Sequence, residues 1–409
     1  MPRCTNMVAD IYTIVSLCRY ICGKSLIGPT ASRHGEDHSM ARKMVLVAVI
    51  VVAAVIVLGA YAATVMMRGD RGGSVYYLRM APATMAASLS AGSIDAYIAW
   101  EPFVSEAIVG MTGEVLLWSE DIMPEHPCCV VAVSQDFLEQ PNGAEVAKRF
   151  LKAHLEATTW MIDAMADTGS DEYALLKTLA MEFTTRNESV VDEALKHLEY
   201  RYVVDATLLS ALEDFVNMYI ETNQTTLEAV QDRGYDSVED FVDTYVNETY
   251  IDAAASVEPG LPDLPLMVRV GYLRGDLHQL AYYVANDSRV LGGAENLFNK
   301  YSVTVTNASG APYANGGVVM DNFAAGIVDI GYLGAPPALI KHITVGTEIA
   351  IVAQANIEGS GLVVSVGSGI DSVEDLVNMT VATPGETSIQ HLLLKIALDR
   401  KDIDLVLKT

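Results

Sequence analysis

Four short segments in the last third of the sequence contain glycine and follow a predicted strand, and three of them place the glycine beside hydroxyl, amide, carboxyl or imidazole groups. They are residues 274–279 (Arg-Gly-Asp-Leu-His-Gln), 333–336 (Leu-Gly-Ala-Pro), 358–361 (Glu-Gly-Ser-Gly) and 384–390 (Pro-Gly-Glu-Thr-Ser-Ile-Gln). Loop N–H groups and helix N-termini carry positive partial charge, so they can hold an anionic or polar group without a fixed cation. The candidate ligand contacts in these segments are Asp276, His278, Gln279, Gly334, Ala335, Glu358, Ser360, Gly361, Thr387 and Ser388.

A second set of candidate contacts lies in the first half of the sequence. Trp100 and Glu101 end a predicted strand, and His126 lies in a turn, residues 125–129 (Glu-His-Pro-Cys-Cys). Ligands of open α/β sheets bind at the carboxyl ends of the strands, so we expect these residues to face the glycine-containing segments across one crevice. Structural roles remain open for both sets: hydroxyl groups also cap helices, and a tryptophan also fills a core.

Cys128 and Cys129 could bind a metal ion or carry redox chemistry, but no second Cys/His pair at zinc spacing lies nearby in the sequence. We therefore interpret them as structural thiols and predict no metal ion and no cofactor. The sequence also has no phosphate-binding lysine loop, Gly-x-Ser-x-Gly or His-Glu-x-x-His motif. The sequence predicts no catalytic residue and a protein that is not an enzyme.

Composition excludes several other classes of protein. The 409 residues include 52 acidic and 26 basic side chains, a formal net charge of −26, which argues against nucleic-acid binding. Five cysteines exclude a disulfide scaffold, and 51% hydrophobic residues are typical of a chain with a large core.

An uncharged stretch of 24 residues runs from Met44 to Met67, long enough to cross a bilayer. It predicts an uncleaved membrane anchor, although a removed signal peptide remains the alternative. Arg42 and Lys43 precede it, which favours a cytoplasmic N-terminus and places residues 69–409 outside the cell. Six Asn-x-Ser/Thr tripeptides, beginning at Asn187, agree with that side. Residues 1–39 are interpreted as a cytoplasmic extension or a wrongly assigned start.

Beyond this segment the chain divides into blocks. Residues 74–142 and 266–409 alternate predicted strands and helices, residues 143–257 are helical in pattern, and residues 258–265 form a linker rich in proline. In the last block the strand candidates are residues 267–273, 303–306, 328–333, 349–353, 362–366 and 380–382. This alternation predicts an α/β fold with one lobe from each α/β block and the helical block between them.

Several motifs of both α/β blocks carry a family resemblance. Residues 92–103 (Gly-Ser-Ile-Asp-Ala-Tyr-Ile-Ala-Trp-Glu-Pro-Phe) and 126–133 resemble the second lobe of extracytoplasmic substrate-binding proteins of the nitrate/sulfonate/taurine class of ABC importers. Residues 268–273, 326–337, 358–364 and 375–385 resemble the first lobe. The resemblance implies a two-lobed periplasmic binding protein fold of type II. It also implies a small anionic or polar solute as ligand, closure of the lobes around it, and an ABC permease as partner.

The order of the two lobes is reversed relative to that family, because the motifs of the second lobe come first here. A circular permutation predicts this order, and so does a fragment of a tandem gene. Two other functions also remain open at this point. One is an anchored solute sensor. The other is an enzyme resembling thiamine-pyrimidine synthases, which share the fold but carry a cysteine-rich iron motif, of which only Cys128 and Cys129 are present.

Overall fold

The computed structural model describes residues 72–264 and 266–408. Residues 1–39 and the predicted anchor, from Met44 to Met67, lie outside these ranges. Among the helices of the described ranges, none combines the length and the apolar character that a bilayer crossing requires.

Six strands form a mixed sheet, here called sheet A. In spatial order they are β12 (Asp404–Leu407), β1 (Ser74–Arg79), β11 (Thr380–Thr383), β2 (Ala96–Trp100), β10 (Ser360–Ser365) and β3 (Gly113–Trp118). β1 pairs in parallel with β11 and β12, and β10 runs antiparallel between β2 and β3. Every residue of β2 is buried, as expected for a strand whose sheet is covered on both faces.

Six further strands form a second mixed sheet, here called sheet B. In spatial order they are β5 (Glu199–Tyr200), β9 (Ile349–Ile357), β4 (Pro127–Ser134), β8 (Ile330–Gly334), β6 (Met267–Gly271) and β7 (Thr304–Asn307). β6 pairs in parallel with β7 and β8, whereas β4 is antiparallel to both of its neighbours. β4 and β9 are buried along their whole length, so the core passes through the centre of this sheet.

The α-helices connect and cover the two sheets. They are α1 (Pro82–Ser90), α2 (Phe103–Val109), α3 (Ser119–Ile122), α4 (Gln135–Glu139), α5 (Gly143–Ala166), α6 (Asp171–Thr184), α7 (Glu188–Ala194), α8 (Ala206–Glu221), α9 (Leu227–Gln231), α10 (Val238–Tyr245), α11 (Thr249–Ala254), α12 (Leu280–Ala285), α13 (Leu297–Lys300), α14 (Gly316–Ala324), α15 (Ala335–Val345) and α16 (Ile389–Asp399). Short 3₁₀ turns occur at Leu195–His197, Leu277–Gln279, Ser288–Leu291 and Val373–Leu376.

The helical block, α5 to α11, is anchored to sheet B by its longest helix. Helix α5 buries residues at spacings of three and four, among them Phe150, His154 and Met161. His154 Nε2 lies 2.8 Å from the carbonyl oxygen of Gln354 in β9, and Nδ1 lies 3.1 Å from the hydroxyl of Tyr332 in β8. Helix α5 therefore packs on sheet B.

Each sheet contains strands of both α/β blocks, whereas the sequence predicts one lobe from each block. The predicted boundaries at residues 142 and 266 do not separate the sheets. β4, from the first α/β block, belongs to sheet B, and β10 to β12, from the last block, belong to sheet A. Within the described residues the chain passes between the sheets twice, through residues 119–126 and through Glu358 and Gly359. β4 is almost wholly apolar and β10 has serine only at its two ends, so their patterns do not indicate which sheet they complete.

Candidate functional site

A cavity of about 280 Å³ lies between the two sheets. Sheet A contributes Arg79 at the end of β1, Trp100 at the end of β2, and residues 384–390, which lead into α16. Sheet B contributes residues 315–318 at the start of α14, Gly334 at the end of β8, and part of the loop after β6. The cavity is thus built from strand ends and helix starts of both sheets.

Two helices with side-chain caps, from opposite sheets, begin at this cavity. Asn315 caps α14 by accepting from the N–H of Val318 over 3.1 Å, and Ser388 caps α16 by accepting from the N–H of His391 over 3.2 Å. The first N–H groups of a helix have no partner within the helix, and they lie at the positive end of its dipole. The cavity therefore combines two sets of N–H donors suited to an anionic group.

The arginine and the lysine of the cavity wall each lie against a carboxylate. Arg79 Nε lies 2.8 Å from both carboxylate oxygens of Glu386, and Lys341 Nζ lies 2.8 Å from Asp321 Oδ1. Partial burial alone would raise the pKa of Glu386, but hydrogen bonds from Arg79 and Tyr77 hold that pKa at about 2. Glu386 is therefore ionised at neutral pH, and its charge offsets that of the guanidinium.

Trp100 lines the cavity with a side chain that is only 4% exposed. Its ring packs edge-on against Phe103, with ring centroids 5.9 Å apart. Its indole N–H finds no hydrogen-bond acceptor among the residues that the structure describes. A buried donor without a partner is costly, so this N–H is suited to donate to a bound ligand.

A buried group of thiol, imidazole and carboxyl side chains forms another part of the wall. Cys128 Sγ lies 3.1 Å from His278 Nδ1, and Asp276 Oδ1 lies 3.6 Å from the same nitrogen. Burial disfavours the charged imidazole, but the charges of Cys128 and Asp276 raise the pKa of His278 to about 9. Burial raises the pKa of Asp276 to about 7. Burial also opposes ionisation of Cys128, but a hydrogen bond from Cys129 and the charge of His278 hold its thiol pKa well below the usual range.

A family model described as the NMT1-like family matches residues 70–173 and 283–408, which is more than half of the chain. The chain belongs to the NMT1-like family. This is the family of nitrate/sulfonate/taurine-type ABC substrate-binding proteins. A comparison with curated proteins finds no match.

Six of the residues singled out from the sequence line the cavity of this NMT1-like protein. They are Trp100, Asp276, His278, Gly334, Thr387 and Ser388. They come from both sheets, so segments more than 200 residues apart in the sequence meet at one cleft.

The other predicted contacts lie behind the cavity wall or at the connections between the sheets. Gln279 and Ser360 support wall residues: Gln279 Nε2 donates to Asp276 over 3.1 Å, and Ser360 Oγ accepts from Gln390 over 2.9 Å. Glu101 is fully buried and accepts from the N–H and the hydroxyl of Ser105. The remaining four are the buried Ala335, Gly361 and His126 and the half-buried Glu358.

Sequence reasoning missed several residues of the NMT1-like cleft. It passed over residues 315–317 (Asn-Gly-Gly), although an asparagine before a helical pattern is a recognisable capping signal. It did not single out Arg79, Asp321 or Lys341. It also did not place Cys128 and Cys129, interpreted as structural thiols, at the cleft; both line the cavity beside His278.

Proposed function

We propose that this chain is a membrane-anchored, extracytoplasmic solute-binding protein that delivers a small anionic or polar solute to an ABC permease. The observation that supports this proposal best is the start of α14 and of α16, from opposite sheets, at one cavity. The indole N–H of Trp100, which has no acceptor within the described residues, adds a further donor. An anion between these donors contacts both sheets at once and so favours the state in which they are close together.

The charges of the cavity favour a zwitterionic solute within this class. The acidic groups that line it are the carboxyl groups of Asp276, Asp321 and Glu386 and the low-pKa thiol of Cys128, against the basic groups of Arg79, Lys341 and His278. A taurine-like amino-sulfonate offers a sulfonate to the helix N-termini and an ammonium group to the carboxylates. Nitrate and simple sulfonates have no group for the carboxylates, so we expect them to bind less tightly.

Anchoring and location rest on the sequence. The uncharged stretch from Met44 to Met67 serves in this proposal as the anchor, with residues 69–409 on the outer side of the membrane. Extraction of isolated membranes with alkaline carbonate tests the anchor: the chain should stay in the membrane pellet. Protease added to intact cells should digest the outer part.

The reversed order of the lobe motifs is best explained, in this proposal, by circular permutation. Strands from both sides of the helical block complete each sheet, so a single chain contains both walls of the cleft. A rearranged chain can be made that begins at Leu266 and ends at Gly260, with residue 408 joined to residue 72 through a long flexible linker. This chain should bind the solute with the same affinity as the natural order. A loss of binding in a folded rearranged chain would contradict the permutation.

Calorimetry and thermal unfolding of the full chain in mild detergent test the binding function. Taurine, methanesulfonate and nitrate are the probes. A probe that binds should raise the free energy of unfolding by about 2.7 kcal/mol when its concentration is a hundred times its Kd.

Trp100→Phe removes one donor and should weaken binding about five- to tenfold. Trp118→Phe is the matched control, because Trp118 lies in β3 of the same sheet and stacks on His197 with ring centroids 3.9 Å apart. A folded chain that binds none of the three probes would refute the proposal.

A further inference from the structure

We propose that Cys128, Cys129 and His278 bind one thiophilic metal ion, with Zn²⁺ as the reference ion, in the wall of the cleft. The two Sγ atoms and one ring nitrogen lie within 4.8 Å of one another. A tetrahedral zinc ion, with bonds of about 2.3 Å to sulfur and about 2.0 Å to nitrogen, places such atoms about 3.6 Å apart. The three side chains are therefore close to the arrangement that one ion requires.

The backbone of β4 explains how adjacent cysteines reach the same ion. In a regular strand, neighbouring side chains point to opposite faces of the sheet. Here the register between β4 and β9 shifts on both sides of Cys129. Pro127 pairs with Ile357 and Cys129 pairs with the next residue, Asn356, so Cys128 has no opposite residue in β9 and forms a bulge. Such bulges redirect side chains and are common next to functional sites. Both cysteines consequently line the same cavity.

The ring of His278 is held in the orientation that a metal ligand needs. Its Nε2 lies 3.0 Å from the carbonyl oxygen of Gly359, so Nε2 carries a proton and donates it, and Nδ1 faces the sulfur of Cys128. A histidine that binds a metal through one nitrogen typically donates the other N–H to a carbonyl or carboxylate. The ring is fully buried, so no solvent competes for this orientation.

Asp276 and Gln279 complete the surroundings. Asp276 Oδ2 lies 3.8 Å from Cys129 Sγ and accepts from Gln279 Nε2 over 3.1 Å, while Gln279 Oε1 accepts from the backbone N–H of Leu273 over 2.7 Å. Asp276 can thus serve as a fourth ligand or leave one position of the ion open to the cleft. Two sulfurs and an imidazole favour zinc or copper(I) over magnesium or calcium.

Binding of Co²⁺ and Zn²⁺ to the full chain tests this site without any solute, so the outcome does not depend on the proposed transport function. The other three cysteines, Cys4, Cys18 and Cys22, are first replaced by serine, so that the remaining thiols are Cys128 and Cys129. One equivalent of Co²⁺ should produce a thiolate-to-metal charge-transfer band, and Zn²⁺ should displace the Co²⁺ and abolish the band. X-ray absorption of the zinc form should show two sulfur ligands.

Variants then identify the ligands. Cys128→Ser, Cys129→Ser and His278→Gln should each weaken zinc binding by more than about 100-fold. Gln279→Ala removes the amide that contacts Asp276 and the sulfur of Cys129, and it should weaken zinc binding by about 10- to 100-fold. His197→Gln is the control, because His197 does not line the cavity, and it should leave zinc affinity unchanged. The proposal is overturned if the reduced chain shows no charge-transfer band, or if the zinc ion has only nitrogen and oxygen neighbours. The X-ray measurement needs none of these variants, so a variant that fails to fold does not affect it.

Discussion

The backbone N–H of Glu125 donates to Glu358 Oε1 over 2.6 Å and so joins the two segments that connect the sheets. A second bond, from the N–H of Glu358 to the carbonyl oxygen of His126 over 3.1 Å, runs beside it. Both glutamates have positive φ, 57° and 58°, a conformation that costs energy for a residue with a side chain. The two connections therefore form one hydrogen-bonded unit with strained backbone, which is a suitable place for a hinge.

Gly359, the residue after Glu358, should tolerate no side chain. Its φ is +76°, and an added Cβ would lie 2.5 Å from His278 Nε2 and 2.7 Å from Leu198 Cδ2. Gly369 is a matched control, because its φ is +77° and an added Cβ would meet nothing within 4 Å. We expect Gly369→Ala to lower the free energy of unfolding by about 1 kcal/mol and Gly359→Ala by about 2 kcal/mol more. Urea titrations measure both; equal losses would show that the close contacts are relieved without cost.

The cap of α14 should matter for the solute as well as for the helix. Asn315→Ala removes the side-chain acceptor of the Val318 N–H and should lower stability by about 1 kcal/mol. It should also weaken binding of the proposed solute, because the first turn at the cavity is then less well ordered. Asn187→Ala, at the exposed start of α7, removes the same kind of cap at a residue that does not line the cavity, and it should affect stability alone. Calorimetry that shows equal affinities for the two variants would contradict a role for α14 in binding.

Glu101 should make the protein less stable as the pH rises. Burial raises its pKa to about 7 in the folded state, whereas the unfolded value is near 4.5. The unfolded chain therefore releases this proton first, and folding stability should fall between about pH 4.5 and pH 7, by about 3 kcal/mol at most. Glu101→Gln keeps an oxygen for Ser105 and cannot ionise, so its stability should decline less over that interval. Urea titrations at several pH values compare the slopes; parallel slopes would show that Glu101 is ionised in the folded protein.

His154 should make the protein less stable as the pH falls. Burial lowers its pKa to about 4, so the folded protein holds the ring neutral while the unfolded chain takes up a proton near pH 6.5. Stability from this residue is complete above pH 6.5 and is lost as the pH falls towards 4. His154→Gln should remove most of this acid sensitivity while lowering stability at pH 7. Thermal unfolding between pH 4 and pH 7 tests this prediction. If the variant loses as much stability at low pH as the natural chain, the folded protein does not hold the ring neutral.

A disulfide between the two walls should lock the cleft. An added Cβ on Gly317, at the start of α14, would lie 3.3 Å from Oγ1 of Thr387, which precedes α16 in the other sheet. The Gly317→Cys/Thr387→Cys double variant should therefore form a bond on oxidation. The oxidised protein should neither take up nor release the proposed solute, and reduction should restore exchange. Either single variant is the control. If the oxidised double variant still exchanges solute normally, the two walls of the cleft do not separate at this position.

Local patterns predicted the elements better than their assembly. Strand candidates at residues 267–273 and 380–382 correspond to β6 and β11, and a helical pattern from residue 146 to 165 corresponds to α5. Apolar periodicity reports burial along one segment, and it does not report which sheet a fully buried strand such as β4 completes. The same limit applies to the site. Cys128 and His278 are 150 positions apart, so only the folded chain shows that their side chains meet.

The pairing of Arg79 with Glu386, and of Lys341 with Asp321, has a consequence for the environment in which the protein works. Dissolved ions weaken long-range attraction between a charged surface and a free anion, but they affect short contacts with oriented N–H groups far less. A cleft whose positive side chains are already neutralised holds its cargo by such short contacts. Its affinity should therefore change little between fresh water and brine.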